Sequence, residues 1–171
     1  MRVSVIGCSG AGKTTFGTAL AARLGVPFIE LDSIFHQPGW TELPDDDFQA
    51  RVRAEIAADG WVVDGNYGIV RPIVLERATT VAWLDYSRPR VMQQVIRRSA
   101  SRAITRRELW NGNREDAREW IKPDHPIRWA WSQHARKRAE YADRLKEAQY
   151  QRLAVHRFST PREADAWLQT A

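Results

Sequence analysis

The sequence predicts an α/β fold, a parallel sheet of five strands with helices on both faces. Three observations predict it. Short runs rich in Val and Ile alternate with longer stretches of helical spacing. A glycine-rich run, Gly7-Cys8-Ser9-Gly10-Ala11-Gly12-Lys13-Thr14, joins the first strand-like run to the first helix-like one. Aspartates stand at the ends of three strand-like runs: Asp32, Asp64 and Asp85. Strands that alternate with helices form a parallel sheet buried on both sides.

The elements follow in order. Arg2 to Ile6 is a strand ended by Gly7, and Gly12 to about Leu24 is a helix stopped by Gly25 and Pro27. Pro27 to Leu31 is a second strand, with its proline at the tolerated first position. His36 to Trp40 is a loop. Pro44 to Asp59 is a helix with three aspartates in its first turn. Trp61 to Asp64 and Thr79 to Leu84 are the third and fourth strands. A long helix runs from about Ser87 to Arg107, and Leu109 to Pro126 is irregular or short-helical, with Gly112, Pro123 and Pro126 as breakers. Ile127 to about Tyr150 is a second long helix, with Arg136/Glu140 and Glu140/Arg144 as i,i+4 pairs. Leu153 to Phe158 and Pro161 to Leu168 close the chain as a strand and a helix.

Length and composition narrow the function classes. The 171 residues suit one domain spanning 1–171. With 43% hydrophobic and 27% charged residues, the chain is neither disordered nor collagen-like. Cys8 is the only cysteine, which excludes an internal disulfide and a cysteine-built zinc site. No apolar run reaches membrane-spanning length and no signal core opens the chain, so the expected location is cytoplasmic. The net charge of +5 is uneven. Residues 1–85 carry 7 basic and 11 acidic side chains, whereas residues 86–157 carry 18 and 8. That positive middle attracts phosphate, on a nucleotide, a metabolite or a nucleic acid.

The glycine-rich run fits G-x-x-x-x-G-K-[ST] at every fixed position. Small residues from Gly7 through Cys8, Ser9, Gly10 and Ala11 let the backbone wrap a phosphate with its N–H groups inward. The helix starting near Gly12 adds its dipole, with Thr15 in its first turn. Lys13 supplies charge to the β- and γ-phosphates, and the Thr14 hydroxyl can ligate Mg²⁺. Cys8 fills a tight loop position rather than acting as a nucleophile.

Such a loop needs a carboxylate near its metal, at the carboxyl edge of the sheet. Asp64 ends the most apolar run and is the candidate for the metal or its water, with a turn or capping role as the alternative. Asp32 is the candidate general base for an acceptor hydroxyl, or else an N-cap. Asp85 serves a turn or the site equally well.

Arg98, Arg102 and Arg106 share one helix face, ahead of Trp110-Asn111-Gly112-Asn113-Arg114. A cationic helix end followed by a breaker-rich segment suits a lid over roughly 98–126, closing arginines on a transferring phosphoryl group. A solvated charged face and a grip on nucleic-acid phosphates are the other readings. His36, His125, His134 and His156 lack metal-ligand spacing and read as surface or loop residues. Trp61, Trp83 and Trp167 read as core, and Trp40 and Trp110 as lining for an acceptor pocket. Trp129 and Trp131 suit helix packing or a dimer contact.

Together these residues resemble the adenylate-kinase-like small P-loop kinases, and most of all the group labelled DNA topology modulation protein. The shared pieces are the P-loop, Leu31-Asp32 with Pro38-Gly39-Trp40, Val63-Asp64-Gly65-Asn66-Tyr67, and Leu109 to Arg114. The resemblance implies strand order 2-3-1-4-5, a helical lid, ATP and Mg²⁺. It implies that Arg98 and Arg102 contact ATP and that Pro161 and Arg162 pass the adenine. It places Asp32 and Asp64 near the acceptor. Adenylate kinases carry Asp-Gly-Phe-Pro-Arg where this chain has Asp64-Gly65-Asn66-Tyr67-Gly68, so AMP is in doubt as acceptor, with Arg71 close enough to replace the missing arginine. Arg114 is a further acceptor-side candidate.

The expected function is transfer of the γ-phosphoryl of ATP to a small acceptor: a nucleotide, nucleoside or other hydroxyl metabolite. Thr14 and Asp64 would serve the metal, and Lys13, Asp32, Arg98 and Arg102 the chemistry. A nucleic-acid-associated ATPase is the alternative, although no nucleic-acid motif supports it. A non-catalytic nucleotide sensor is disfavoured by the intact Lys13, Thr14 and Asp64. Monomer and dimer both stay open.

Overall fold

In a computed structural model the chain builds one five-stranded parallel sheet in the order β2-β3-β1-β4-β5. The strands are β1 (Arg2–Gly7), β2 (Phe28–Glu30), β3 (Trp61–Asp64), β4 (Thr80–Leu84) and β5 (Ala154–Phe158). The structure describes residues 1–65, 67–105, 108–113 and 126–171, with the backbone alone for 102–104 and 126. The order matches the one the resemblance implies.

Alternation along each strand sorts side chains onto two faces. Trp61 and Val63 of β3, with Val81 and Trp83 of β4, join one core cluster. Val62 of β3, Ala82 and Leu84 of β4, and Val3 and Val5 of β1 join the other. The first face is covered by α3 (Asp45–Glu55), α4 (Arg71–Arg77) and the end of α6 (Pro126–Arg144). The second is covered by α1 (Lys13–Leu24), α5 (Arg88–Thr105) and α7 (Pro161–Leu168). Central strands need apolar residues on both sides, and β3 and β4 are buried throughout.

Sequence reasoning missed two helices. The second strand stops at Glu30, and Leu31–Phe35 forms a five-residue helix, α2. Asp32 therefore lies in a helical turn. The other is α4, whose signals were Pro72 in the first turn and an apolar Ile73-Val74-Leu75 run. The expected helix to Tyr150 ends instead at Arg144. A short 3₁₀ turn, Ala148–Tyr150, then drops Tyr150 into the core before β5. The i,i+4 partners expected for Glu140 also differ. Its carboxylate binds Arg71 and Lys137, because α6 packs that face inward.

No helix among the described residues is long and apolar enough to cross a membrane.

Candidate active site

The carboxyl ends of β1, β2 and β3 bring the P-loop, Glu30 and Asp64 together. Glu30 and Asp64 are neighbours in the β2–β3 register. Gly10 has φ +86, and a Cβ there would stand 2.7 Å from Val95 Cβ, so only glycine lets the loop lie against α5. Ala11 N–H donates to Cys8 O at 3.1 Å, and α1 starts at Lys13 with its first N–H groups facing the loop.

Thr14 and Asp64 meet as the sequence predicts. The Thr14 hydroxyl donates to Asp64 Oδ2 at 2.6 Å, and Lys13 Nζ lies 3.9 Å from Oδ1. Burial pushes the Asp64 carboxyl up, while Lys13 and the Thr14 hydroxyl pull it back. Asp64 Oδ1 is buried without a hydrogen-bond partner. A hard cation fits there, because Thr14 and Asp64 offer oxygen donors. Among the described residues no group of three or more His, Cys, Asp or Glu could hold a metal. Mg²⁺ does not need one, since phosphates and water complete its shell.

Glu30 is the site residue that sequence reasoning missed. Its Oε1 lies 3.2 Å from the Thr14 hydroxyl oxygen, and its Oε2 accepts the Trp110 indole N–H at 2.7 Å. Burial holds its carboxyl above the ordinary range, with the Trp110 bond opposing and Asp64 and Asp32 adding. Its signal was legible as an acid one strand position from the carboxyl edge, hidden by extending the strand to Leu31.

Asp32 does not cap α2, whose N-cap residue is Glu30. Its Oδ1 accepts the Tyr67 hydroxyl at 2.5 Å, and His36 Nε2 lies 3.4 Å from that hydroxyl. Burial pushes Tyr67 up strongly, with Asp32, Glu42 and Asp64 adding to it, so the phenol stays a donor. Gly65, at φ +128, allows this approach: a Cβ there would stand 2.7 Å from Leu31 Cβ.

The arginines divide. Arg98 Nη2 donates to Ser9 Oγ at 3.4 Å, so it reaches the P-loop as expected. Arg102 sits on α5 one turn farther on, with its backbone alone described. Arg106, Arg114 and His125 lie outside the described residues, as does most of the expected lid. Arg71 is buried, bound to Glu140 and 5.9 Å from the Tyr141 ring centre. Pro161 and Arg162 open α7, where Thr160 caps Glu163 N–H. An open cleft is lined by Gly12, Lys13, Thr14, Glu30, Arg98 and Trp110 among others, and Thr15 joins them. Pro161 and Arg162 are not in that lining.

Asp85 proves structural: it accepts Arg138 Nε at 3.0 Å and Arg157 Nη2 at 2.6 Å. Cys8 is buried, 3.9 Å from Ala130 O, and burial pushes its thiol up. His134, expected at the surface, is buried against Tyr86 O at 2.9 Å.

Trp40 and Trp110 lie together. The His36 and Trp110 rings stack at 5.8 Å, and Trp40 meets both edge-on.

Known proteins share this fold. Residues 9–41, from the P-loop through α2, match the Shikimate kinase family. A shikimate kinase from Bacteroides thetaiotaomicron superposes with TM-score 0.56 at 17% identity, over 99% of this chain and 95% of that one. A shikimate kinase from Acinetobacter baumannii, in complex with shikimate, gives 0.55 at 17% identity, over 98% and 88%. This chain has the fold of the P-loop kinases. No curated protein matches it in sequence.

Proposed function

We propose that the protein is an ATP- and Mg²⁺-dependent phosphotransferase acting on a hydroxyl of a small acceptor. The Thr14–Asp64 contact at 2.6 Å beneath an intact P-loop carries this reading. The match of residues 9–41 to the Shikimate kinase family and the shared fold support it.

The P-loop N–H groups, Lys13 and Arg98 would hold the β- and γ-phosphates and take up charge as the phosphoryl group moves. Arg102 would extend that cationic side, and Pro161 and Arg162 would lie on the adenine side. Mg²⁺, held by Thr14 and Asp64 with Glu30 beside them, would neutralise phosphate charge. Asp32, oriented by the Tyr67 hydroxyl, would take the acceptor proton. The acceptor oxygen bonds to the γ-phosphorus, the bond to the β–γ bridging oxygen breaks, and ADP leaves. The 98–126 segment, including Arg114, would close on the reaction as a lid within a single domain. Among small P-loop kinases we place the chain beside the group labelled DNA topology modulation protein, on the Trp40 and Trp110 segments.

The test is ADP release from Mg·ATP across nucleoside monophosphates, nucleosides, sugars and hydroxy acids, with Lys13→Ala as control. Acceptor-dependent turnover lost in Lys13→Ala supports the kinase reading. Turnover raised by DNA or RNA alone would replace it with the nucleic-acid-associated ATPase.

A further inference from the structure

We propose that His36 is a positioning residue for Asp32: its Nε2–H occupies the Tyr67 hydroxyl oxygen, so that the Tyr67 proton is left to Asp32 alone. This role rests on the kinase reading and deepens it, since His36 acts through Tyr67 on the candidate base.

The turn of α2 sets the three groups together. His36 N–H donates to Asp32 O at 3.0 Å, and residues four apart share a helix face. Tyr67, three residues past β3, reaches both side chains. A phenol has one proton to give and accepts on the same oxygen. Tyr67 gives that proton to Asp32 Oδ1 at 2.5 Å, the short length of a hydroxyl bound to a carboxylate. The 3.4 Å contact with His36 Nε2 must then run the other way, from the ring N–H into the phenol oxygen. His36 Nδ1 agrees, because it is buried without a hydrogen-bond partner. A proton there would be a buried donor left unmade, so the proton belongs on Nε2.

At 3.4 Å this bond is long, and its use is direction rather than strength. A hydroxyl hydrogen rotates to suit its partners. A bare Nε2 would offer it a second acceptor, whereas Nε2–H leaves it only Asp32. Among the described residues Tyr67 is the one side chain that hydrogen-bonds Asp32.

Rings hold His36 in place and tie it to the phosphate side. Trp110 stacks on it at 5.8 Å, and Trp40 and Phe35 meet it edge-on. Trp110 in turn donates to Glu30 and lines one cleft with Glu30, Lys13 and Thr14. Burial first, and then the Asp32 charge among others, pushes up the Glu30 and Asp64 carboxyls. Asp32 is therefore within electrostatic reach of the Thr14–Asp64 pair.

Two measurements test this role. The first needs no acceptor: ¹⁵N NMR of the histidine-labelled chain at pH 8, with His36 assigned by its loss in His36→Gln. The Nε2–H tautomer is expected, and an Nδ1–H tautomer overturns the proposal. The second is ADP release from Mg·ATP with the fastest acceptor among nucleoside monophosphates, nucleosides, sugars and hydroxy acids. His36→Phe keeps a ring against Trp110 but deletes the donor, and His36→Gln keeps a donor but loses the ring. With folding checked by circular dichroism, His36→Phe is expected to lower kcat about tenfold and His36→Gln by no more than about threefold. KM for ATP should stay within about twofold in both. In a Tyr67→Phe background, His36→Phe should lower kcat by no more than about twofold further, because the path through Tyr67 is already gone. A greater loss in His36→Gln than in His36→Phe, or losses that multiply in the double variant, overturns the proposal and leaves the kinase reading standing. No transfer to any acceptor removes the kinase reading and the role of His36 with it, whatever the tautomer.

Discussion

The Asn113 side-chain oxygen accepts the backbone N–H of Trp40 at 2.9 Å, across 73 residues of chain. Asn113 Nδ2 donates to Gln37 O at 2.9 Å, and Asn111 Nδ2 donates to Ser33 O at 3.1 Å. Trp40 and Asn111 both have positive φ, 59° and 54°. For a tryptophan that conformation costs on the order of 1–3 kcal/mol, and contacts from outside the turn hold it. Two tight turns far apart in sequence thus clasp each other over α2.

Asn113→Ala leaves the Trp40 N–H and the Gln37 carbonyl without their partner. Asn113 is 4% exposed, so the expected loss is about 1–3 kcal/mol. Urea unfolding followed by tryptophan fluorescence measures it. A variant as stable as the parent would show that the clasp does not hold the two turns.

Asp64→Asn removes the carboxylate charge proposed to hold Mg²⁺ with Thr14. The expected outcome is loss of Mg²⁺-dependent ATP stabilisation in a thermal shift assay. Turnover should fall by about 10²-fold or more, as for loss of one electrostatic stabiliser. Parent-like Mg²⁺ dependence would remove Asp64 from the metal site.

Asp32→Asn keeps the shape and an acceptor oxygen for Tyr67 but removes the proposed base. Turnover is expected to fall by about 10²- to 10⁴-fold with ATP binding unchanged. Tyr67→Phe, which loses only the orienting bond, should cost less. Single-turnover rates of the two variants check the order, and the reverse order would make Tyr67 the more direct participant.

Glu140 gives a pH signature. Burial alone would raise its carboxyl, but the bonds from Lys137 and Arg71 outweigh burial and hold it below the ordinary value. A depressed carboxylate stabilises the fold above its unfolded pKa, and that contribution is lost as pH falls through the folded one. Glu140→Gln should therefore lose about 2 kcal/mol near pH 7, with the gap narrowing below about pH 4.5. Denaturant melts at pH 7 and pH 4 test this, and a gap that widens in acid would refute it.

Cys8 is 7% exposed and its thiol is pushed up by burial. Alkylation by iodoacetamide at pH 8 is expected to be at least about tenfold slower in the folded protein than in urea, because the thiolate is the reactive form. Equal rates would mean that the P-loop opens readily.

Local patterns carried much of this protein into view. The glycine spacing located the P-loop, and burial on both faces located β3 and β4, because fully buried strands read as apolar runs. The same logic placed Thr14 beside Asp64 and Arg98 beside the P-loop. It failed where a side chain's role depends on a distant partner. Glu30 looked like one more strand residue until Trp110 and Thr14 were folded onto it. Asp85 read equally as a turn residue or a site residue, and only the folded chain brings Arg138 and Arg157 around it.

By itself, then, the sequence determined the strand and helix alternation, the phosphate loop and the place of Asp64 at a strand end, since each rests on spacing within a dozen residues. Only the tertiary structure decided that Arg71 is matched by Glu140, that Asp32 is oriented by Tyr67, and that Asn113 joins the Trp40 and Trp110 turns. Those pairs are separated by 69, 35 and 73 residues. A hydrogen bond or ion pair acts over about 3 Å, and which residues come that close is set by packing of the whole chain.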